Sequence, residues 1–131
     1  MFPPTPRGFT LIEMLFTVAA IALLATIAYP SYVGYKVRAN RSVTQSFLID
    51  LANREQLYFL DARTYADSLV KLGAPLVPPE ISRFYQLPDP IVDNMSAPPN
   101  FTLRAIAKAG TIQGSDGDLS LNSSGVRTGN W

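Results

Sequence analysis

The sequence predicts an α+β fold, in which one long N-terminal helix is followed by a small antiparallel sheet. Residues 14–35 form a run of 22 positions without a charged side chain. Apolar residues then recur at helical spacing, and short strand-like segments separated by turn residues follow. The chain has 131 residues, which is the length of one domain rather than two.

The composition argues against catalysis. The chain contains no cysteine and no histidine, so disulfides, thiolate nucleophiles and imidazole bases are excluded. We therefore predict no enzyme activity, no cofactor and no bound metal. The formal net charge is +1, from 11 basic and 10 acidic residues. Because no overall field attracts the chain to nucleic acid, we do not expect nucleic acid as a partner.

The uncharged run is long enough to cross a membrane. At about 1.5 Å per residue, a helix of this length spans roughly 33 Å, and a bilayer core is about 30 Å thick. Two general explanations compete: a signal-anchor helix that holds an unrelated outer domain, and a secretory signal that is cleaved after Ala28. Neither explains Glu13, whose charge at the start of the apolar segment is unfavourable in a membrane unless a partner is present.

The residues before Glu13 resemble a known processing site. The stretch from Arg7 to Glu13 reads Arg-Gly-Phe-Thr-Leu-Ile-Glu. It is similar to the leader junction of type IV prepilins, in which a basic leader ends in glycine, phenylalanine follows, and glutamate comes four positions later. The resemblance implies that a prepilin peptidase cuts between Gly8 and Phe9 and methylates the new amino group of Phe9. It also implies that Glu13 interacts with the amino terminus of a neighbouring subunit during assembly.

The resemblance implies a pilin fold with four segments. These are a cleaved leader at 1–8, a membrane and filament-core half of the helix at 9–35, an amphipathic half at 36–60, and a globular head at 61–131. The implied partners are other pilin subunits, the prepilin peptidase and the inner-membrane pilus assembly machinery. The precursor would cross the inner membrane once, with its head in the periplasm, and then enter an extracellular pilus.

Three basic residues, Lys36, Arg38 and Arg41, follow the uncharged run. By the positive-inside rule they would place the head in the cytoplasm. The prepilin resemblance requires the opposite orientation, and we follow the motif because the rule is statistical. The three cations could also contact DNA, as in some specialised minor pilins. Contact with lipid headgroups or packing in the filament is favoured instead, because acidic residues make the head mixed in charge.

Pro30 interrupts the helical pattern, since it has no amide hydrogen to donate to the carbonyl of Thr26. Either the membrane helix ends here or a longer helix continues with a kink, and the proline that pilins share at this place favours the kink. Beyond Pro30, apolar spacing predicts an amphipathic helix to about Leu60. Its apolar positions are Val43, Phe47, Leu48, Leu51, Ala52 and Phe59. The charged residues that fall mostly between them are Arg41, Asp50, Arg54 and Glu55.

The head is predicted to begin with an irregular connector at 61–80, where pilins have a variable αβ-loop. Strands are predicted at Arg83–Leu87, Phe101–Ala107 and Leu119–Leu121. Four prolines fall in the connection between the first two strands, where no sheet amides are expected to be needed. They are Pro88, Pro90, Pro98 and Pro99.

The tail from Gly117 onward resembles the end of minor pilins of the PilE type, in which a Gly-x-Leu-x-Leu strand leads into a turn. Relatives usually close this region with a disulfide, and here Asp116 and Asn130 occupy the corresponding places. We therefore expect strand pairing alone to hold the tail. Asp116 and Asp118 also form a conceivable calcium pair. Two carboxylates fall short of the roughly six to eight oxygens that calcium takes, so a solvated turn is favoured.

We predict a structural subunit of a type IV pilus, and a minor pilin in preference to a major one, that supports pilus assembly, twitching motility or adhesion. A pseudopilin of a type II secretion system is the first alternative, because it shares the leader and the helix. A DNA-uptake pilin ranks below it. An anchored periplasmic enzyme is the alternative from another class.

Overall fold

The computed structural model describes residues 8–131, so the predicted leader lies outside the described residues except for Gly8. The described chain contains a long helix, α1 (Leu11–Ala62), and a short one, α2 (Pro79–Ser82). Its strands are β1 (Tyr85–Gln86), β2 (Ile91–Asp93), β3 (Asn100–Ala107), β4 (Leu119–Asn122) and β5 (Arg127–Thr128). The α+β fold predicted from the sequence is confirmed. The chain forms two compact units, which meet in sequence at Tyr35 and Lys36.

The first unit contains the N-terminal half of α1. The side chains at positions 11–32 are exposed, including large apolar ones such as Leu11, Phe16 and Ile27. This helix is long and apolar enough to cross a membrane, and none of its most apolar stretch is buried. A helix that is apolar on all sides requires an apolar environment, which lipid or other copies of the helix supply.

Pro30 lies inside α1, and the helix continues beyond it to Ala62. The interpretation in which the helix ends at Pro30 is therefore wrong. The carbonyl of Ile27, close to the proline, accepts a hydrogen bond of 3.2 Å from the hydroxyl of Ser31. Backbone disturbance near a proline is commonly relieved by serine and threonine side chains in this way. A kink at Pro30 remains a prediction.

The second unit is built on the C-terminal half of α1. The buried residues of α1 all lie in this half, and their spacing places them in one row along the helix. They are Thr44, Leu48, Leu51 and Glu55. Leu48 and Leu51, two of the apolar positions predicted for the amphipathic helix, are buried in the core. Val43, by contrast, is exposed, so its assignment to the apolar face was wrong. Glu55 was predicted to fall between the apolar positions, but it lies within the buried row.

The sheet is antiparallel, with β3 in the middle. One edge of β3 pairs with β4, which in turn pairs with β5. On its other edge β3 pairs with β2 at residues 100–102 and with β1 at residues 106–107. Between those two pairings the chain runs through Pro88 and Pro90, which have no amide hydrogen to donate to a sheet.

The predicted strands appear as β1, β3 and β4, although β1 is shorter than expected. Two strands were missed. β2 lies within the proline-containing connection, where no sheet amides were expected to be needed, and β5 comprises only Arg127 and Thr128. Neither segment is long enough to produce the alternation of apolar and polar residues that identifies a strand. The predicted connector at 61–80 is irregular only over residues 63–78, because α1 extends to Ala62 and α2 begins at Pro79.

The core lies between the second half of α1 and one face of the sheet. Alternate residues of β3, namely Phe101, Leu103 and Ala105, are buried, as expected for a strand with one covered face. Trp131 at the end of the chain packs against this core. The remaining buried apolar residues of the core cluster are Ala66, Leu69, Leu72, Ala74, Ile81, Tyr85 and Leu119.

Two leucines on α1 provide a matched test of this packing. We expect Leu51→Ala to lower the free energy of unfolding by about 2–5 kcal/mol, because it leaves a cavity under the sheet. Leu57→Ala on the same helix removes the same atoms from an exposed position, and we expect a change below about 0.5 kcal/mol. Denaturant unfolding of the detergent-solubilised chain, followed by the fluorescence of its single tryptophan, measures both. Equal effects would contradict the assigned packing.

Candidate functional site

The predicted cleavage bond lies in an open segment. Gly8, Phe9 and Thr10 precede α1 and are exposed, and the Phe9 side chain is 84% exposed. Among residues 8–131, a Cβ atom added to Gly8 would meet no atom within 4 Å. The described part of the chain therefore does not obstruct access to the bond between Gly8 and Phe9.

Glu13 and Thr10 form a capping box at the start of α1. The Thr10 backbone N–H and its hydroxyl both donate to Oε2 of Glu13 at 2.8 Å. In return, the Glu13 backbone N–H donates to Oγ1 of Thr10 at 3.3 Å. These reciprocal bonds satisfy amide groups that would otherwise have no partner at a helix N-terminus. The pattern Thr-x-x-Glu before an apolar run indicates such a cap, so this role could have been predicted from the sequence and was missed.

The capping box gives Glu13 a local structural function. The carboxylate sits in the first turn of α1, where the partial positive charge of the helix N-terminus favours an anion. The hydrogen bonds from Thr10 converge on Oε2, so Oε1 is left to accept a hydrogen bond from another group. Glu13 is therefore held in a fixed place beside Phe9 while one of its oxygens remains available.

Arg41, the last cation of the basic group, is engaged within the second unit. Its guanidinium forms a two-point ion pair with Asp116, in which Nε donates to Oδ2 at 2.8 Å and Nη2 donates to Oδ1. Arg38 on the same helix is exposed. Arg41 is therefore not available to join Arg38 in binding an anionic ligand unless the ion pair breaks.

Asp116 is the centre of a polar cluster that we call the Asp116 cluster. Its members are Arg41, Tyr85, Gln113, Asp116 and Asn130. Besides the ion pair, Oδ2 of Asp116 accepts a hydrogen bond of 2.6 Å from the Gln113 amide and one of 3.2 Å from the Tyr85 hydroxyl. The Asp116 side chain is only 4% exposed. The prediction of a solvated turn was therefore wrong for Asp116. Its lone pairs face hydrogen-bond donors rather than a site for calcium.

The electrostatics of the Asp116 cluster stabilise the ionised carboxylate. Burial acts to raise the pKa of Asp116, but the hydrogen bonds and charge of Arg41 outweigh it, with help from Gln113 and Tyr85, and hold this pKa below its ordinary value. Burial and the neighbouring Asp116 charge raise the pKa of Tyr85 to about 12. The cluster thus consists of an ion pair with a neutral phenol, from Tyr85, and two neutral amides, from Gln113 and Asn130.

The Asp116 cluster also holds the tail. The Asn130 side-chain amide donates to the Asp116 carbonyl at 2.7 Å, and the Asn130 carbonyl accepts a 3.0 Å hydrogen bond from Gln45 of α1. Gly129, at φ +93°, allows the close approach, because a Cβ atom there would lie 2.0 Å from the carbonyl oxygen of Asp118. The expectation that strand pairing alone holds the tail was wrong. A hydrogen bond joins the two positions that the resemblance matched to a disulfide.

Two family models match the chain. One, described as a prokaryotic N-terminal methylation motif, matches residues 5–29. The other, described as "Type IV minor pilin ComP, DNA uptake sequence receptor", matches residues 30–120, which is more than half of the chain.

The curated relatives are named either as type IV pilus proteins or as type II secretion proteins. The type IV wide pilus major component PilA4 of Thermus thermophilus is 33% identical over 79 residues, covering 58% of this chain and 60% of the relative. The type IV major pilin protein PilA of Myxococcus xanthus is 35% identical over 72 residues, covering 55% and 33%. The type II secretion system core protein G of Dickeya chrysanthemi is 31% identical over 84 residues, covering 61% and 55%. The aligned region thus spans between about a third and three fifths of the length of these relatives.

The Asp116 cluster predicts a loss of stability at low pH. Asp116→Asn leaves Arg41 without its anion, and we expect it to reduce the free energy of unfolding at pH 7 by about 1–3 kcal/mol, because Arg41 is partly exposed. Folding lowers the pKa of Asp116. The ionised carboxylate therefore stabilises the native chain fully above the unfolded pKa, near about 4, and this stabilisation is lost as the pH falls through the folded pKa. Asp61→Asn, at an exposed position, is the control. Tryptophan-monitored unfolding between pH 2 and about 7 gives the difference, and a difference independent of pH would contradict the assignment.

Proposed function

Because the chain belongs to the type IV pilin family, we propose that it is a filament subunit whose leader is removed between Gly8 and Phe9 and whose helix α1 then assembles into a surface filament. One coincidence carries the proposal. The match to the N-terminal methylation motif includes the Gly8–Phe9 bond, which is exposed and non-helical, and the beginning of the uncovered apolar helix α1. A leader of this kind has to be accessible to a peptidase, and a helix of this kind has to be covered in the finished assembly.

In this proposal the prepilin peptidase recognises Gly8 for its lack of a side chain. A glycine lets a protease approach the backbone closely. Since a Cβ at position 8 would contact no atom of the described residues, we expect a substitution there to act on recognition and not on folding. Cleavage frees the amino group of Phe9, which the same enzyme would methylate.

Glu13 is proposed to pair with the Phe9 amino group of a neighbouring subunit. An unpaired carboxylate in an apolar environment is unfavourable, and a neighbour's ammonium group relieves that cost at only one register of the two helices. The capping box supports the proposal because it fixes the carboxylate at the helix start and leaves Oε1 available.

The proposed route begins in the inner membrane. The precursor crosses it once through the first half of α1, with the head in the periplasm, and the pilus assembly machinery then transfers it to an extracellular pilus. In the filament, Pro30 would permit local bending or unwinding of α1, since the helix lacks one backbone hydrogen bond there.

We propose a minor rather than a major subunit, with a part in pilus assembly, twitching motility or adhesion. The description of the family model that matches residues 30–120 supports this choice, although the Thermus and Myxococcus relatives are named as major pilins. A type II secretion pseudopilin is the alternative, which the Dickeya relative supports. Presence in sheared surface filaments that require pilus genes favours the pilin, and dependence on secretion genes favours the pseudopilin.

The first test is mass spectrometry of the N-terminal peptide from a sheared filament fraction. We expect a peptide that begins with N-methylated Phe9. Gly8→Leu should leave the uncut chain in the membrane with its head folded normally. A chain that retains Met1, or that begins at Tyr29, would contradict the proposed processing.

A pair of variants separates the charge of Glu13 from its capping role. Glu13→Gln keeps the capping box, because glutamine also serves at this position, but it removes the charge. Thr10→Ala removes the cap and keeps the charge. We expect Glu13→Gln to be cleaved normally and to be absent from filaments, and Thr10→Ala to be present in them. The reverse result would mean that Glu13 acts only as a helix cap.

DNA uptake is a second candidate, favoured by one observation: the matching family model is described as a DNA uptake sequence receptor. Arg83 and Arg104 are exposed and form no ion pair among residues 8–131. If they contact phosphates, binding of duplex DNA to the detergent-solubilised chain will weaken steeply with salt. Arg83→Ala and Arg104→Ala would then each reduce the salt slope by about one. The absence of salt-dependent binding would instead support the expectation of no nucleic-acid partner.

A further inference from the structure

Glu55 is a buried acid that the proposed function does not use. It lies in the core-facing row of α1 and is 0% exposed. Its Oε2 accepts a hydrogen bond of 2.8 Å from the backbone N–H of Ala66. Its Oε1 is also buried and has no hydrogen-bond partner among residues 8–131. A buried carboxylate with one donor and no cation is far less favourable than a buried carboxylic acid.

The groups around Glu55 do not compensate its charge. Asp67, in the segment that follows Ala66, adds a repelling negative charge, and it is itself paired with Lys71 at 2.7 Å. Arg54, the adjacent residue on α1, is bound to Asp50 and to the carbonyl of Leu72. Burial, reinforced by Asp67, raises the pKa of Glu55, although the hydrogen bond from Ala66 opposes this.

The bond from Ala66 fastens the start of the segment that follows α1. Ala66 is fully buried, and beside it Tyr65 stacks on Phe59 at 4.7 Å and meets the edge of Phe101 at 4.8 Å. Two further bonds hold the same segment to the β2 region, from Tyr65 N–H to Asn94 and from Leu69 N–H to Asp89. Those two acceptors belong to partly exposed or exposed residues. The acceptor for the Ala66 N–H is the buried carboxyl of Glu55. Of the three hydrogen bonds, this one therefore depends most on protonation of its acceptor.

We propose that Glu55 is a protonation-dependent latch for residues 63–69. When protonated, it remains in the core and holds Ala66 on α1. When ionised, it is driven toward water, the hydrogen bond to Ala66 is lost, and the segment opens. The surface that this segment presents to its surroundings would therefore change between acidic and neutral conditions.

The direction of the pH effect follows from linkage. An acid whose pKa is higher in the folded chain than in the open form stabilises the closed form at low pH. That stabilisation is lost as the pH rises from the ordinary glutamate value, near about 4.3, to the raised folded value. Over that interval the opening equilibrium shifts about tenfold per pH unit, and above it the shift levels off. The latch thus responds in the opposite direction to the Asp116 cluster.

Nuclear magnetic resonance of the full chain in detergent micelles tests the proposal. The Glu55 carboxyl carbon is assigned by its absence in Glu55→Gln and is titrated, and the protection of the Ala66 amide against hydrogen exchange, corrected for intrinsic rates, is measured over the same range. We expect the carboxyl to titrate above the ordinary glutamate range and Ala66 protection to fall about tenfold per pH unit up to that point. As the control, Glu80→Gln, at an exposed position of α2, should show the same Glu55 titration and the same pH dependence of Ala66 protection as the native chain.

Two results would overturn the latch. One is titration of Glu55 at the ordinary glutamate value. The other is Ala66 protection that stays constant through the titration, as expected if a bound water satisfies Oε1 and keeps the ionised acid in place. Glu55→Gln should show protection that is independent of pH. If that variant does not fold, the pH dependence of Ala66 protection in the native chain still decides between the outcomes.

Discussion

The row of side chains from Thr44 to Glu55 on α1 is the constraint on which the head depends. The strands are short, since β3 with eight residues is the longest of those described, and a sheet of this size is stable only when its apolar face is covered. Leu48 and Leu51 provide that cover, and Phe101 and Leu103 of β3 are buried in the same core. The sheet therefore depends on the second half of α1 for its cover.

Around this core, polar side chains hold the connecting segments in place. Asp89 accepts from Leu69, Asn94 both accepts from and donates to the Tyr65 backbone, and Asp118 accepts from Ala107. Each such bond contributes only about 1 kcal/mol, or somewhat more when the acceptor is charged. Together they take the place of covalent closure in a chain without cysteine. We therefore expect stability held in this way to depend on pH, through Asp116 and, as proposed, through Glu55 in the opposite direction, and not on redox conditions.

Periodicity predicted the parts of the fold that are long enough to display it. The uncharged run, the Leu48 and Leu51 positions and the alternation in β3 were all readable from spacing. Features that depend on a distant partner were not. Asp116 reads as one residue of a polar turn, but it is buried among partners that include Arg41, 75 positions away, and Tyr85, 31 positions away. Glu55 reads as a surface charge, because the segment that covers it has no pattern of its own. Gly8, Phe9 and Glu13 were identified by family resemblance, whereas the capping role of Glu13 needed only the local rule.

The capping box changes how the proposed pairing of Glu13 is understood. A carboxylate in an apolar helix has to be stabilised in the free subunit before it can pair with a neighbour in the proposed assembly. The two hydrogen bonds from Thr10 satisfy part of the carboxylate, and the helix N-terminus favours its charge, so the precursor can hold the acid in lipid. Hydrogen bonds do not neutralise the charge, however. A neighbouring ammonium group would supply the opposite charge that Thr10 lacks. The capping box therefore leaves the proposed pairing with a neighbour favourable. In the proposed assembly, the same acid can thus be stable in the free subunit and still pair with a neighbour.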